Sequence, residues 1–336
     1  MKLVRPGERS ITMSGPHSAG LSAPHGRYAE YHRRQDEALR AVPRYPGRLF
    51  GGAGIVIVAG GTRYFTCAWV CLTMLRQVLG CTLPIEVWYL GAEEMSPYMK
   101  TLLERFDVEC VDALEVRRRH PVRRLGGWEC KPYAVLHSRF EHVILIDADN
   151  VPLMDPALLL ARPEYRATGA LFWPDFGRLD ADCSIWEICR VPYRDEPELE
   201  SGQIVVDKEH SWQALHLAMH LNEWSDFYYE HIYGDKETFY FAWRMLGKPY
   251  ALCPHPPRPV LYGSGAAARD ILAFIQHGFG GEGIFQHRCG AKWIAEGRNA
   301  HVQGFAYERQ CLAALSELRG LWDGRLDHES MPLASG

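Results

Sequence analysis

The chain has 336 residues, room for one large domain or two small ones and for a sizeable buried core. Its 37 Lys and Arg against 41 Asp and Glu leave a net charge of −4, and 47% of residues are hydrophobic, an ordinary globular composition. That balance excludes a general basic face for nucleic acid, so an anionic partner must be met by a local cluster of cations.

In chain order, residues 1 to about 26 read as a flexible arm, and Ser10 to Pro24, rich in Ser, Gly, Pro and His, lacks the apolar centre of a signal peptide. Tyr28 to Val42 predicts a polar helix ended by Pro43 and Pro46. Arm and helix, 1–48, precede one domain expected over 49–325, with 326–336 a tail. Gly54 to Gly61 is a β-branched run ending in glycines, and Tyr64 to Leu79 has helical periodicity with Gly80 as its stop. Strands at Ile85 to Leu90 and Val108 to Val111 flank a helix over Ser96 to Phe106. This alternation predicts an α/β sheet with parallel neighbours, and such sheets place ligands at the carboxyl ends of their strands. Gly60 and Gly61 occupy one such end.

Lys131 to Phe140 reads as a helix, and His142 to Asp147 is apolar almost throughout until it reaches the acid, as an interior strand should be. Farther on come strands at Ala170 to Trp173 and Gln203 to Asp207, helices at Ser211 to Trp224 and Asp235 to Leu246, and an amphipathic helix at Phe305 to Trp322 expected to pack on the sheet. Asp327 to Gly336 is a frayed tail. The longest apolar runs fall well short of the roughly 20 residues that cross a bilayer. The ten cysteines, with no CxxC, read as reduced core residues of a cytoplasmic protein with no integral membrane segment.

The chemistry concentrates on Asp147 and Asp149. One residue apart at the end of a buried strand, they are expected to point to the same side. Like charges so placed repel unless a cation bridges them, and two carboxylates suit Mg²⁺ or Mn²⁺, with positions left for phosphate oxygens. The competing reading is a solvated Asp-rich turn before Pro152, supported by Asn150. Arg117, Arg118, Arg119, Arg123 and Arg124 form either a guide for anions or a solvated loop. Trp173, Asp175, Phe176 and Trp186 form either a sugar-stacking surface or ordinary packing.

Together with Lys131-Pro-Tyr-Ala-Val-Leu-His and Asp147-Ala-Asp-Asn-Val-Pro-Leu-Met-Asp-Pro156, three further blocks carry a resemblance. They are Gly60-Gly-Thr-Arg-Tyr64 with Leu83-Pro-Ile-Glu-Val-Trp88, Glu200-Ser-Gly-Gln-Ile-Val-Val-Asp-Lys208, and Gly234-Asp-Lys-Glu-Thr-Phe239. Over about Gly54 to Trp293 the chain resembles the fungal-type α-mannosyltransferases that branch mannan, and their bacterial relatives. The resemblance implies a single GT-A domain of α/β class, with a mixed, mainly parallel central sheet flanked by helices. Its nucleotide-sugar half would span about 54–156 and its acceptor half about 157–300. It further implies metal-dependent, retaining transfer of a hexose, here mannose from GDP-mannose, to the hydroxyl of a glycan or small molecule.

The same resemblance implies roles for single residues. Asp149 would ligate Mn²⁺ or Mg²⁺, and Asp147 would share the metal or hydrogen-bond the ribose. Gly60, Gly61 and Tyr64 would line the nucleoside pocket, and Lys131 would lie near the donor phosphates or sugar. Phe285-Gln-His-Arg-Cys-Gly-Ala-Lys-Trp293 is similar to the His-x-x-Gly-x-x-Lys-Pro-Trp region of glycogenin-like transferases, though one residue shorter between Gly and Lys and without the proline. It implies His287 as third ligand, with His301 and His277 as substitutes, and Gly290 and Lys292 as diphosphate contacts. Asp235 would hydrogen-bond the donor sugar or lie beneath it, or else cap the helix that follows. Glu200 and Gln203 are the other catalytic candidates. Retention requires either a carboxylate nucleophile or front-face attack in which the leaving phosphate takes the acceptor's proton. The alternatives are a UDP-sugar-using glycogenin-like enzyme, a carbohydrate-binding protein and a sugar-1-phosphate nucleotidyltransferase, for which the Gly60-Gly-Thr-Arg-Tyr64 turn is too short.

Overall fold

The computed structural model describes residues 26–264 and 270–326. The arm over residues 1–25 and the tail over Asp327 to Gly336 thus lie outside the described residues. The described residues form eleven strands: β1 (Ala53–Val58), β2 (Ile85–Tyr89), β3 (Val108–Asp112), β4 (His142–Ile146), β5 (Asn150–Pro152), β6 (Ala170–Arg178), β7 (Pro197–Asp207), β8 (Ala251–Leu252), β9 (Arg258–Tyr262), β10 (Ile271–His277) and β11 (Gly283–His287). The main sheet has the order β3-β2-β1-β4-β7-β6-β8. Strands β1 to β4 run parallel, β7 is antiparallel to β4, and β6 is antiparallel to β7. This is the mixed, mainly parallel central sheet that was expected.

Period-two alternation explains why β1 and β4 are apolar throughout. Ile55, Ile57, Ile144 and Ile146 enter one core layer, while Val56, Val143 and Leu145 enter the other, so both faces of the sheet are covered. The helix after β1, Gly61–Thr73, continues as a wider turn over Met74–Val78. The final helix, Glu308–Leu321, packs on it: Trp69 Nε1 donates to the Ala314 carbonyl at 2.9 Å and Phe65 meets Trp322 edge-on at 4.7 Å. The expectation that this helix lies on the sheet is corrected, because the bulky Trp69 layer stands between them. The N-terminal helix, Ala29–Ala41, docks through Tyr31 stacked on Phe227 at 3.4 Å and Arg34 over Trp224 at 3.8 Å. All ten cysteines are free thiols. No described helix is long and apolar enough to cross a membrane.

The predicted elements recur with shifted ends, while the small antiparallel sheet β5-β11-β10-β9 was not foreseen. It joins the chain after β4 to residues near the C-terminus and carries His287 to the end of β4.

One buried lysine ties fold stability to pH. Lys208, fully buried, donates to the Ser138 carbonyl at 2.6 Å and sits 3.9 Å from the Phe50 ring centre. Burial lowers its pKa from 10.5 to about 7, with Glu86 pulling weakly the other way. Between those values the unfolded chain holds a proton that the folded chain has shed, so this site's contribution to stability rises with pH, by up to about 1.4 kcal/mol per unit. Lys208→Met is therefore expected to be more stable than the parent near pH 7, and the gap should shrink by roughly 2 kcal/mol on going to pH 9.5. Denaturant unfolding of both proteins at the two pH values checks this; a gap independent of pH would contradict it.

Candidate active site

Three strands converge at the carboxyl end of β4. That strand stops at Ile146, and Asp147 to Asn150 form a turn closed by the Asn150 N–H on the Asp147 carbonyl at 2.9 Å. The expectation of two carboxylates on one face of a continuing strand is thereby corrected: the turn, not strand alternation, brings them into one cluster. Asn150 then pairs with His287 of β11, and Ile146 pairs with Gln203 of β7. The Asp147 N–H donates to the Gly202 carbonyl at 2.8 Å, which fixes the turn against β7.

His287 lies between two carboxylates: Nε2 is 3.1 Å from Asp149 Oδ1 and Nδ1 is 3.5 Å from Glu200 Oε1. Asp147, Glu200 and His287 each offer a ligand atom, all within 4.8 Å of one another. Glu200, foreseen as a catalytic candidate, thus joins the metal-competent set, while Asp149 is held by His287 and by the Lys292 ammonium on its other oxygen. Two or three carboxylates with one imidazole are a suitable donor set for Mn²⁺ and, less closely, for Mg²⁺. His301 and His277 lie elsewhere, bonded to Glu308 and to the Pro256 carbonyl, so neither substitutes for His287.

Lys131 is buried. Its ammonium lies 2.9 Å from Asp147 Oδ1, 2.8 Å from Ser201 Oγ and 3.3 Å from Asp235 Oδ2. Burial disfavours its charge, but Asp147 and Asp235 outweigh burial and raise its pKa. For Asp147 burial acts upward, and Lys131 and His287 overcome it, holding the carboxyl below its usual range. Asp235 and Glu200 are pushed up by burial despite the opposing charges of Lys131 and His287 respectively. Lys131 serves two carboxylates, and the shorter contact goes to Asp147.

Asp235 precedes the helix Lys236–Met245, yet its side chain makes no capping bond. Instead it turns inward and accepts from Ser201 Oγ at 2.9 Å. Gln203 Oε1 accepts from Asn150 Nδ2 at 2.8 Å, leaving Gln203 Nε2 and Asn150 Oδ1 buried without a partner among the described residues. Buried polar atoms left in this state are uncommon and mark a place where a polar ligand gains most. Gly202 was missed. A Cβ there would lie 2.7 Å from His287 Nδ1 and 3.0 Å from Glu200 Oε1, so only glycine lets the imidazole approach β7.

At the other edge, Tyr64 is 39% exposed and not a core aromatic, and the Lys292 ammonium stands 5.2 Å over its ring. Gly60 abuts Glu94, whose carboxylate a Cβ would strike; Glu94 also accepts from the Leu90 N–H at 2.8 Å and takes the Gly61 N–H on its carbonyl. Gly290 packs on Leu272 and donates its N–H to the Leu272 carbonyl at 3.0 Å, so that N–H is not offered to a phosphate. The aromatic cluster resolves as packing, and the arginine run is a solvated helix end and loop with partners of its own. Trp173 and Trp186 are buried, Asp175 is ion-paired to Lys236, and Arg117 and Arg123 bond to the Val122 carbonyl and to Asp226. A cavity of about 420 Å³, lined by His142, Tyr165 and Asp207 among others, lies at the opposite end of β4, away from the carboxylates.

The model of a family described as "Mannosyltransferase putative" matches residues 52–190 and 192–267, more than half of the chain. Its match ends before His287, Gly290 and Lys292. The α-1,2-mannosyltransferase MNN21 of Candida albicans is 26% identical over 264 residues, covering 61% of this chain and 39% of its own length. The α-1,2-mannosyltransferase MNN5 of Saccharomyces cerevisiae is also 26% identical, covering 62% of this chain and 46% of its own. The chain therefore spans less than half the length of these relatives. Among solved structures, the galactosyltransferase LgtC with donor and acceptor sugar analogues superposes with a TM-score of 0.45 at 13% identity, covering 80% of this chain and 100% of that one.

Proposed function

This chain belongs to that mannosyltransferase family, and from that premise we propose that it transfers mannose from GDP-mannose to an acceptor hydroxyl with retention, dependent on Mn²⁺ or Mg²⁺. The observation that carries the proposal is the convergence of Asp147, Asp149, Glu200 and His287 with the buried Lys131 and the half-buried Lys292 at the end of β4. A bound divalent cation would supply Lewis-acid stabilisation of the charge that builds on the leaving diphosphate. Asp147, Glu200 and His287 would hold it, with Asp149 once Lys292 moves onto the phosphate.

The protein's own groups supply the rest. Lys131 keeps Asp147 ionised and positions Asp235. Gln203 holds Asn150 through its Oε1, which fixes the turn that carries Asp147 and Asp149. Tyr64 and Lys292 stand where a nucleoside and its phosphates would lie, a ring to stack on and a cation beside it. In transfer, the bond from C1 to the diphosphate oxygen breaks, a bond from C1 to the acceptor oxygen forms, and the acceptor's proton leaves with the diphosphate. If Asp235 acts as nucleophile, C1 passes first from the diphosphate oxygen to the Asp235 carboxylate oxygen and then from that oxygen to the acceptor oxygen, the acceptor's proton again leaving with the diphosphate. The location proposed with this reading is cytoplasmic.

Incubation with a panel of nucleotide sugars and Mn²⁺ tests the reading. Released nucleoside diphosphate is expected with GDP-mannose, and Asp149→Ala should lose it while keeping the parent's far-ultraviolet circular dichroism. Pyrophosphate-dependent nucleotide exchange in place of release would indicate a nucleotidyltransferase and sink the proposal.

A further inference from the structure

The site contacts form a line with different chemistry at its two ends. At one end, Tyr64 carries Lys292, which reaches Asp149 and then His287. Past Asp147 and Lys131 the line runs to Asp235. Beyond Asp235 it ends in a second aromatic group: Tyr233, 41% exposed, and Trp128, ring centres 5.6 Å apart, with Tyr229 behind Trp128 at 6.0 Å. Trp128 lies against Gly234, the residue between Tyr233 and Asp235, so both rings adjoin the loop that carries Asp235.

Gly234 keeps this pair in place. Its φ of +71° is a conformation that side chains resist, and a Cβ would lie 2.9 Å from Trp128 Cε3, so a larger residue would cover the indole. Beside Tyr233 stands Lys236, 5.8 Å from the ring centre, held at 2.6 Å by both Asp175 and Glu198. The surface is thus two aromatic faces beside the half-buried Glu198 carboxylate and the buried Asp175, with Lys236 paired to both.

We propose that Trp128 and Tyr233 form the floor of an acceptor subsite for a neutral pyranose, an inference that rests on the glycosyl-transfer reading above. With a nucleoside at Tyr64 and the transferred sugar over the carboxylates, the aromatic pair beyond Asp235 is the part of this series left for the acceptor. Aromatic faces suit the C–H face of a sugar ring, which is apolar and carries slight positive charge. The carboxylate rim can accept from sugar hydroxyls. It repels anions, because Asp147, Asp175, Glu198 and Asp235 outnumber the two ammonium groups, Lys131 and Lys236, that they share, so a phosphorylated or uronic acceptor is disfavoured.

The probes are methyl α-mannoside and mannose 6-phosphate, titrated by ligand-observed NMR into the full chain with GDP and Mn²⁺ present. Methyl α-mannoside is expected to bind, and mannose 6-phosphate more weakly. Trp128→Ala and Tyr233→Ala should each weaken methyl α-mannoside binding roughly tenfold, and Trp128→Phe should restore most of it. GDP affinity, measured by calorimetry, should stay within about twofold of the parent in all three variants, which also reports that they are folded. The inference is overturned if methyl α-mannoside does not bind the GDP-loaded parent, if both alanine variants bind it as the parent does, or if the phosphorylated sugar binds more tightly. Absence of any affinity for GDP or UDP would instead overturn the glycosyl-transfer reading itself.

Discussion

Gly202→Ala is expected to reduce turnover by roughly a hundredfold or more, because displacement of a positioned group by about 1 Å costs that much. The new methyl would lie 2.7 Å from His287 Nδ1, 2.9 Å from His287 Cε1 and 3.0 Å from Glu200 Oε1. All three atoms belong to the candidate ligand set. The imidazole cannot simply retreat, since Asp149 holds its other edge at 3.1 Å and the Phe274 ring lies 5.0 Å away. Gly202 has no left-handed backbone angle, so alanine brings steric displacement without backbone strain. The variant should therefore fold, bind Mn²⁺ weakly and turn over little. Gly320→Ala, at a position with nothing within 4 Å, serves as the control and should behave as the parent. Initial rates and a Mn²⁺ titration by electron paramagnetic resonance check the expectation; parental rates in Gly202→Ala would show that His287 and Glu200 do not act together.

The second large effect concerns Lys131. In Lys131→Met the carboxylates of Asp147 and Asp235 lose their shared cation while remaining buried, and removing one partner from such an arrangement costs about 3–5 kcal/mol. The pH dependence carries the sign. In the parent, Asp147 has a depressed pKa, so its contribution to stability is present above its unfolded value and is lost as pH falls through the folded one. Without Lys131 the two acids titrate higher, and protonation relieves their burial. The stability gap between parent and variant is expected to be widest near pH 7 and to narrow as pH falls toward about 4, near the unfolded carboxyl values. Denaturant unfolding at pH 7 and pH 4.5 measures it. A constant gap would mean that Lys131 acts through packing alone.

What was legible in the sequence follows from whether the signal is local. β1 and β4 are short apolar runs buried on both faces, and their ends, Gly60 and Asp147, mark the ligand side of the sheet without any knowledge of tertiary contacts. β6 and β7 were foreseen only in part, because Pro174, Asp175 and Gly177 interrupt the first and Pro197, Glu198 and Glu200 open the second with charge. The small sheet was invisible for the same reason: β5 is three residues long and β9 contains a proline. The roles of Glu200 and Lys292 depend on pairings across that sheet. Glu200 meets His287 from 87 positions away, and Lys292 meets Asp149 across 143. Gly202 and Asn150 carried a signal in hindsight, a glycine between Ser201 and Gln203 and an asparagine directly after the acids, but what they touch is set by β4, β7 and β11 meeting. Asp235 illustrates the reverse: its position at a helix start suggested a cap, and the inward turn toward Ser201 and Lys131 is a tertiary outcome.

Metal-dependent, retaining mannosyl transfer is tested most directly by following one reaction by proton NMR: GDP-mannose, methyl α-mannoside and Mn²⁺ with the full chain, before and after EDTA. The expected result is release of GDP together with an α-linked product, stopped by EDTA and restored by excess Mn²⁺. A β-linked product, turnover untouched by EDTA, or no consumption of GDP-mannose while another nucleotide sugar is consumed would contradict it.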